Sequence, residues 1–169
     1  MQESKLEHLL ICSYKTEMIF YLKSNPEDFE EAFNLALTDK QPYSWRAAWV
    51  LWSCMDYNDQ RVSPHLERII DSLAGKPDNQ LRELLIILQR MELSDDFEGK
   101  LFDICIRIWE KVGKQASVRY NAFKLMVKII YRHPELSCEL SLITSTEYME
   151  SLSETARKSI LKMISEFKN

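Results

Sequence analysis

Apolar residues recur along this chain with the period of an α-helix. In the segment 29–37 they fall at positions i, i+3, i+4, i+7 and i+8, which places them on one face of a helix. Most of the segment 66–73 and a longer stripe over 97–112 follow the same spacing. Glycine and proline are scarce and lie mostly between these segments, and the chain contains no Asn-Gly or Asp-Gly dipeptide that would favour a tight hairpin. The pattern predicts an all-α protein.

The limits of the apolar segments predict eight helices after residue 25. We expect them at 27–38, 43–57, 63–74, 79–93, 96–112, 116–132, 135–143 and 152–167. An earlier helical segment covers about 3–23, either as one helix or as two that break near Ser13–Lys15. Every proline except Pro77 suits the first turn of a helix, and Gly75 and Gly113 suit the left-handed position just past a helix.

Four segments of the sequence align on an arginine. They read SWRAAWVLW, QLRELLIIL, SVRYNAFKL and TARKSILKM, and their arginines are Arg46, Arg82, Arg119 and Arg157. Successive arginines are 36, 37 and 38 residues apart. The positions one before and three, four and six after the arginine are apolar in all four segments. A period in this range indicates stacked helical repeats.

Three of the four tryptophans, Trp45, Trp49 and Trp52, occupy these apolar columns in the first segment. Aromatic residues at helical spacing usually pack inward, so we predict that the three rings are largely buried in the core. The alternative is an aromatic box around a ligand, which requires one edge of the array to be open. In both cases the indole N–H groups need hydrogen-bond partners or access to solvent.

The stretch LTDKQPYSWRAAWVL resembles the HEAT-repeat pattern. Asp39 and Pro42 match its inter-helix turn, and Arg46, two alanines and Leu51 match its second helix. The stretch SVRYNAFKLM resembles the same second helix. The resemblance implies a right-handed α-α superhelix of about four to five antiparallel helix pairs, in which the second helices line the concave face. It implies a single domain, which we divide into capping helices at 1–25 and repeats at about 26–60, 61–94, 95–133 and 134–169 of the chain 1–169.

On that resemblance, the columns that point outward give a candidate binding face. They are the arginine itself and the positions one, five and nine residues after it. In the first two segments these columns are semi-apolar and include Ala47, Leu51 and Glu83, and in the last two they are basic. We predict that the basic part binds a partner, with Arg132 nearby, through Arg119, Tyr120, Lys124, Lys128, Arg157, Lys158 and Lys162. The alternative is a solvated, lysine-rich helix face.

Charge is distributed unevenly along the chain. The net charge of −4 divides into −7 over residues 1–97 and +3 over residues 98–169. The two halves are therefore expected to present different faces to a charged partner. The helix predicted at 96–112 is apolar nearly all round, so we expect it either to be buried on two sides or to meet another protein. In the second case Trp109 is the best candidate for an exposed aromatic residue.

Few residue patterns in the chain indicate a catalytic or metal-binding site. The four cysteines lie 33 or more residues apart, each in or beside an apolar run, so we expect buried, reduced thiols in a cytoplasmic protein. His8, His65 and His133 show no metal-ligand spacing, and we predict no metal and no cofactor. No apolar run approaches the roughly 20 residues of a membrane span, and the first ten residues lack the pattern of a secretory signal.

Two functions fit these features. The leading prediction is a non-enzymatic HEAT-like scaffold that binds a protein or an acidic partner on its concave face. The alternative is a DNA-binding protein or glycosylase, because SWRAAWVLW with Asp56 and the basic face is similar to the DNA alkylation repair glycosylase family. That family implies a basic groove for duplex DNA and a pocket with Trp and Asp. The acidic net charge argues against this alternative, since binding to DNA draws much of its affinity from neutralised phosphates.

Overall fold

The computed structural model describes residues 3–167, except for the side chain of Ser141. Helices cover well over half of this range, and no strand occurs within it. The predicted all-α class is confirmed. The α-helices are α1 Lys5–Cys12, α2 Lys15–Ser24, α3 Phe29–Leu37, α4 Tyr43–Cys54, α5 Leu66–Ser72, α6 Asp78–Gln89, α7 Asp95–Glu110, α8 Ala116–Arg132, α9 Ser137–Ile143, α10 Thr146–Met149 and α11 Glu154–Ser165.

The predicted helices are all present, with differences at their ends. Three short 3₁₀ turns, Pro26–Asp28, Ser63–His65 and Pro134–Leu136, lead directly into α3, α5 and α9. Helix α10 has only four residues and was not predicted. The segment 3–23 forms two helices, which settles the alternative that the sequence left open.

Local capping explains why the first helical segment divides into two. At the start of α1, the Ser4 hydroxyl accepts from the backbone N–H of Glu7 at 3.1 Å, and the Glu7 carboxylate accepts from the backbone N–H of Ser4 at 3.0 Å. At the start of α2, the Glu17 carboxylate accepts from the backbone N–H of Tyr14 at 3.0 Å. Because Tyr14 has an extended backbone, the chain leaves the helical conformation there and begins a new helix.

The two glycines predicted to follow helices behave differently. Gly75 adopts the left-handed conformation, with φ of 81°, in the turn between α5 and α6. Gly113 follows α7, but its φ is not positive, so the prediction of a left-handed residue there is wrong. The turn after α7 instead closes through a hydrogen bond of 2.9 Å from the backbone N–H of Lys114 to the carbonyl oxygen of Lys111.

The chain forms two compact units, which divide between Glu92 and Leu93. In the first unit, α4 packs against α1, α2, α3 and α6. In the second unit, α7 and α8 form the main pair, α9 packs on α7 and α11 packs on α8. The single domain over 1–169 and its repeat limits stay predictions, and residues 1, 2, 168 and 169 of that range lie outside the described residues.

The buried face of α4 is made of small and aliphatic residues rather than tryptophans. Its residues that are at most 1% exposed include Ala47, Ala48, Val50 and Leu51. Trp45, Trp49 and Trp52 are half-buried, so they pack against the core as predicted but lie at its margin rather than in its fully buried part. Consecutive alanines let neighbouring helices approach α4 closely, and the large rings are left at the edge of that contact. Ala47 and Leu51, predicted to point outward, are buried for the same reason.

Most residues of the apolar columns are buried in the later segments, but Ile86 of α6 and Ala156 and Met163 of α11 are only half-buried. The column residues of α6 and α8 that are at most 1% exposed are Leu81, Leu85, Leu88, Val118, Ala122, Phe123 and Leu125. In α11, Ile160 is fully buried but Leu161 is 56% exposed, so the column four residues after the arginine fails there. Glu83, predicted to point outward, is 1% exposed and accepts from the indole N–H of Trp52 at 2.6 Å.

A polar network joins the end of α3 to the start of α6. The side-chain amide of the buried Gln80 donates to the carbonyl oxygens of Ala36 at 2.8 Å and Thr38 at 2.9 Å. The Lys76 ammonium pairs with the Asp39 carboxylate at 2.6 Å. The carbonyl groups at the C-terminal end of α3, which have no partner within the helix, are thus satisfied by α6 and the turn before it.

Candidate binding surface

Helix α8 places basic side chains beside α11. Its 17 residues include arginine and lysine but no acidic residue. Helix α11 packs against α8 and adds further cations. We call the result the α8–α11 surface and define it by Tyr120, Lys124, Lys128, Arg157, Lys158 and Lys162.

Arg119, predicted as a residue of the binding face, is fully buried. Its Nε donates to the carbonyl oxygen of Trp109 at 2.7 Å, and its Nη2 donates to the carbonyl oxygen of Tyr148 at 2.6 Å. Its Nη1 donates to the Ser151 hydroxyl, and the guanidinium lies 4.6 Å from the Trp109 ring centre. Burial lowers the pKa of this guanidinium. The prediction for Arg119 is wrong, because its side chain fastens α7 and the turn after α10 to α8.

A groove of about 320 Å³ lies between α8 and α11. It is lined by Tyr120, Ser153, Thr155, Ala156 and Ser159. The hydroxyl oxygens of Tyr120 and Ser159 are 2.7 Å apart, and this hydrogen bond joins the two helices. The Ser153 hydroxyl caps α11 by accepting from the backbone N–H of Ala156 at 3.2 Å. The groove therefore places several hydroxyl groups beside the cations of the surface.

Three cations of the α8–α11 surface have no carboxylate partner among residues 3–167, namely Lys124, Arg157 and Lys162. Both lysines are exposed and the arginine is half-buried. The Lys124 ammonium lies 5.8 Å from the Tyr120 ring centre. Lys158 is exposed but pairs with Glu154 at 2.7 Å, and Lys128 is half-buried. The structure brings the predicted residues other than Arg119 onto two neighbouring helices, and binding by them stays a prediction.

Arg132, predicted near the binding face, neutralises a buried carboxylate instead. Glu98 of α7 is 1% exposed, and one of its oxygens accepts from Arg132 at 2.6 Å while the other lies 2.8 Å from Nε2 of His133. Asp95, Glu98 and His133 place ligand atoms within 4.8 Å of one another, a grouping that could hold a metal ion. Because Arg132 and His133 already occupy both oxygens of Glu98, we interpret the group as an ion-pair network that joins the start of α7 to the end of α8.

Trp109, proposed from the sequence as an exposed aromatic residue, is fully buried. Its indole N–H donates to the carbonyl oxygen of Ile143 in α9 at 2.6 Å, and its ring centre lies 4.9 Å from that of Phe123 in α8. Phe102 and Ile108 are buried as well. The exposed-aromatic prediction is wrong, and the other expectation for an all-round apolar helix is correct: α7 is buried on two sides, by α8 and α9.

Only one of the four cysteines is buried. Burial raises the pKa of the Cys105 thiol. Cys12 and Cys138 are exposed and Cys54 is half-buried, so the expectation of four buried thiols is wrong. A residue beside an apolar run in sequence often lies on the opposite face of an amphipathic helix, which explains the error.

A family model for the HEAT repeat domain matches residues 3–164. The chain belongs to the HEAT repeat domain family. No curated protein and no solved structure matches it. The match confirms the HEAT resemblance drawn from the arginine-centred segments, whereas the likeness to DNA alkylation repair glycosylases stays a prediction.

HEAT repeat domains are helical scaffolds that commonly mediate protein interactions. Helices α4, α6, α8 and α11 carry the four aligned arginines of this HEAT domain. Within the part of the chain that the structure describes, no helix combines the length and the apolar character that crossing a membrane requires.

The first two helices of the HEAT domain expose an apolar groove that the sequence analysis missed. The groove measures about 550 Å³, and its lining includes Leu9, Phe20 and Tyr21. Phe20 is 74% exposed. The Tyr21 hydroxyl donates to the Asp28 carboxylate at 2.5 Å, which raises the pKa of Tyr21 to about 12. The sequence indicated a helical segment here, but the number of helices was open, so no face could be assigned to its apolar residues.

Proposed function

We propose that this HEAT domain is a non-enzymatic scaffold that binds an acidic segment of a partner protein along the α8–α11 surface. The observation that carries the proposal is the set of unpaired cations, Lys124, Arg157 and Lys162, around a groove lined by hydroxyl groups. Carboxylates of a partner would pair with these cations, and backbone groups of the partner would reach the hydroxyls of Tyr120 and Thr155.

The unpaired cations favour a partner because the two helices that carry them supply few acidic residues within the described part of the chain. Helix α8 has no acidic residue, and Glu154 of α11 is already paired with Lys158. Near the other end of the surface, the Glu166 carboxylate accepts from the Tyr131 hydroxyl at 2.9 Å, which raises the pKa of Tyr131. Clustered cations without carboxylate partners steer an acidic partner and align it on the surface.

Charge also favours a protein partner over duplex DNA. The chain has a net charge of −4, and the α8–α11 surface offers few cations for phosphate contacts. Binding to DNA draws much of its affinity from neutralised phosphates, and its salt dependence is strong for a protein that makes about 6–10 such contacts. Asp56, on which the glycosylase alternative depends, lies exposed after the end of α4.

A binding titration with charge-reversed variants tests the proposal. The probe is a fluorescein-labelled polyglutamate peptide of about ten residues, titrated at about 50 and 200 mM salt and followed by anisotropy. We expect the parent to bind at low salt and the variant Lys124→Glu/Lys162→Glu to lose at least tenfold in affinity. The control variant Arg107→Glu/Lys111→Glu makes the same change in net charge at exposed positions of α7 and just after it, and should keep most of the affinity.

Labelled duplex DNA and RNA are titrated in parallel. Tighter binding of a nucleic acid than of polyglutamate by the parent would replace the protein-binding proposal with the nucleic-acid alternative. Equal loss of affinity in both variants would show that net charge, rather than the α8–α11 surface, governs binding. Circular dichroism on all proteins establishes that the helical content is unchanged.

A further inference from the structure

The half-buried tryptophans of α4 form an edge that contacts both neighbouring helices. Trp45, Trp49 and Trp52 are spaced at i, i+4 and i+7, which places them along one side of the helix. On the α6 side, Trp52 is fixed by its hydrogen bond to Glu83 at 2.6 Å. The rings of Trp49 and Trp52 meet edge to face, with centres 6.1 Å apart.

The indole groups of Trp45 and Trp49 differ from that of Trp52 in their hydrogen bonding. Among residues 3–167, neither Trp45 nor Trp49 has a hydrogen-bond partner for its indole N–H. An indole N–H is a donor only, and at a half-buried position it normally finds an acceptor or solvent. Two ring edges of α4 therefore offer unused hydrogen-bond donors.

Two cations lie against these rings without a carboxylate partner in the described part of the chain. The Lys15 ammonium of α2 lies 5.2 Å from the Trp49 ring centre, and the Arg46 guanidinium lies 5.5 Å from the Trp45 ring centre. The only polar contact of the Arg46 side chain among these residues is Nη2 to Sδ of Met18 at 4.0 Å, and a thioether is a weak acceptor.

The Nε atom of Arg46 is buried and has no hydrogen-bond partner, the one such side-chain atom found in the described residues. A guanidinium presents five donors in a geometry that matches a carboxylate, and leaving buried donors unpaired costs free energy. Together with the indole groups, this cluster has several unused donors. The cluster is therefore complementary to a ligand with a negatively charged hydrogen-bond acceptor.

We propose that Trp45, Trp49, Arg46 and Lys15 form a docking site for a partner protein segment in which a Glu or Asp stands next to a large apolar side chain. The carboxylate would bind Arg46 and the indole N–H groups, and the apolar side chain would pack on the tryptophan rings. Trp and Arg are the residues most often found to dominate protein interfaces. The cluster lies in the first unit, so the inference does not depend on the α8–α11 surface.

Charge selects this kind of ligand over nucleic acid. The first unit, residues 1–92, carries a net charge of −5, which repels an extended polyanion at long range. A segment with one carboxylate and an apolar neighbour gains the local ion pair and the contact with the rings while avoiding most of that repulsion. Phosphodiester strands gain the same local contacts but carry a charge on every nucleotide.

A displayed library of random peptides of about twelve residues tests the site without knowledge of the natural partner. The library is first depleted on the variant Arg46→Gln and then selected on the parent protein. We expect the enriched peptides to share an acidic residue adjacent to Leu, Ile, Phe or Trp. Synthetic versions should bind the parent at least tenfold more tightly than the Arg46→Gln variant, and replacement of their acidic residue by its amide should cost a similar factor.

The matched control is Lys23→Gln, which removes one exposed charge from α2 in the same unit and should bind like the parent. Enrichment of peptides without an acidic residue, no enrichment on the parent, or tighter binding of a single-stranded oligonucleotide at this site would each overturn the proposal. If Arg46→Gln fails to show a cooperative thermal transition, Trp49→Ala takes its place with the same expected and contradicting outcomes. Polyglutamate binding by the α8–α11 surface should be unaffected by either variant.

Discussion

Arg119 shows how one side chain holds several elements of the second unit. Its guanidinium satisfies the carbonyl oxygens of Trp109 and Tyr148 and the hydroxyl of Ser151, and it is fully buried. The sequence does not reveal this role, because two of the acceptors are backbone carbonyl groups, which every residue type carries. The alignment of four arginines predicted a shared orientation, but Arg157 at the equivalent place in α11 is half-buried and unpaired among the described residues.

We expect Arg119→Ala to lower the free energy of unfolding by about 2–4 kcal/mol, because it leaves buried acceptors without donors. Urea unfolding followed by circular dichroism measures the change. Arg157→Ala is the matched control and should change the free energy of unfolding by less than about 0.5 kcal/mol. Similar values for the two variants would contradict the structural role of Arg119.

Asp59 makes a pH-dependent contribution to the stability of the first unit. The hydrogen bond from the Arg61 side chain lowers the pKa of this carboxyl group. A group whose pKa is lower in the folded state stabilises the protein above its unfolded pKa of about 4, and the contribution is lost as the pH falls through the folded value.

Asp59→Asn should therefore lower the free energy of unfolding at pH 7 by about 1–2 kcal/mol, and the difference from the parent should shrink when the pH falls to about 3. Urea titrations at the two pH values give both differences. Asp56→Asn, at an exposed position, is the control. A difference that stays constant or grows on acidification would show that the ion pair with Arg61 is not the cause.

At the scale of single helices, neighbouring residues of α11 separate the buried face from the exposed one. Ile160 is fully buried, whereas Leu161 is 56% exposed to solvent. Ile160→Ala should lower the free energy of unfolding by about 2–4 kcal/mol through lost contacts and a cavity, and Leu161→Ala by less than about 0.5 kcal/mol. Thermal and urea unfolding of both variants check the assignment, which is incorrect if Leu161→Ala proves the more damaging change.

Most helices could be predicted from the sequence because their apolar residues have a clear period and their ends carry proline, glycine or caps. The buried face of α4 could not, since its sequence YSWRAAWVLWSC is apolar on nearly every side. The close approach of α3 and α6 to the alanines decides which side is buried, and this depends on packing rather than on period. Trp109 was misassigned for a similar reason, because α9 covers a side of α7 that looked free in sequence.

At the scale of the whole molecule, the two units differ in net charge, which is −5 over residues 1–92 and +1 over residues 93–169. The acidic excess lies in the part of the chain that contains the α4 tryptophans, and the basic excess lies in the part that contains the α8–α11 surface. The exposed cations of that surface could be predicted because lysine rarely occupies a buried position. Arg119 and Arg132 could not be separated from them, since an arginine that meets buried carbonyl groups or Glu98 looks the same in sequence as one that faces solvent.

The central claim, that the α8–α11 surface binds an acidic protein segment, is tested most directly by photo-crosslinking. A benzophenone amino acid replaces Thr155, which lines the groove, and in a control protein it replaces Asp103, which is exposed on α7. Both proteins are irradiated in cell extract with and without nuclease, and the crosslinked peptides are identified by mass spectrometry. We predict that position 155, but not position 103, captures a recurrent peptide rich in Asp and Glu, and that nuclease does not reduce its yield. Capture of nucleic acid alone at position 155, or of the same peptides at both positions, would contradict the claim.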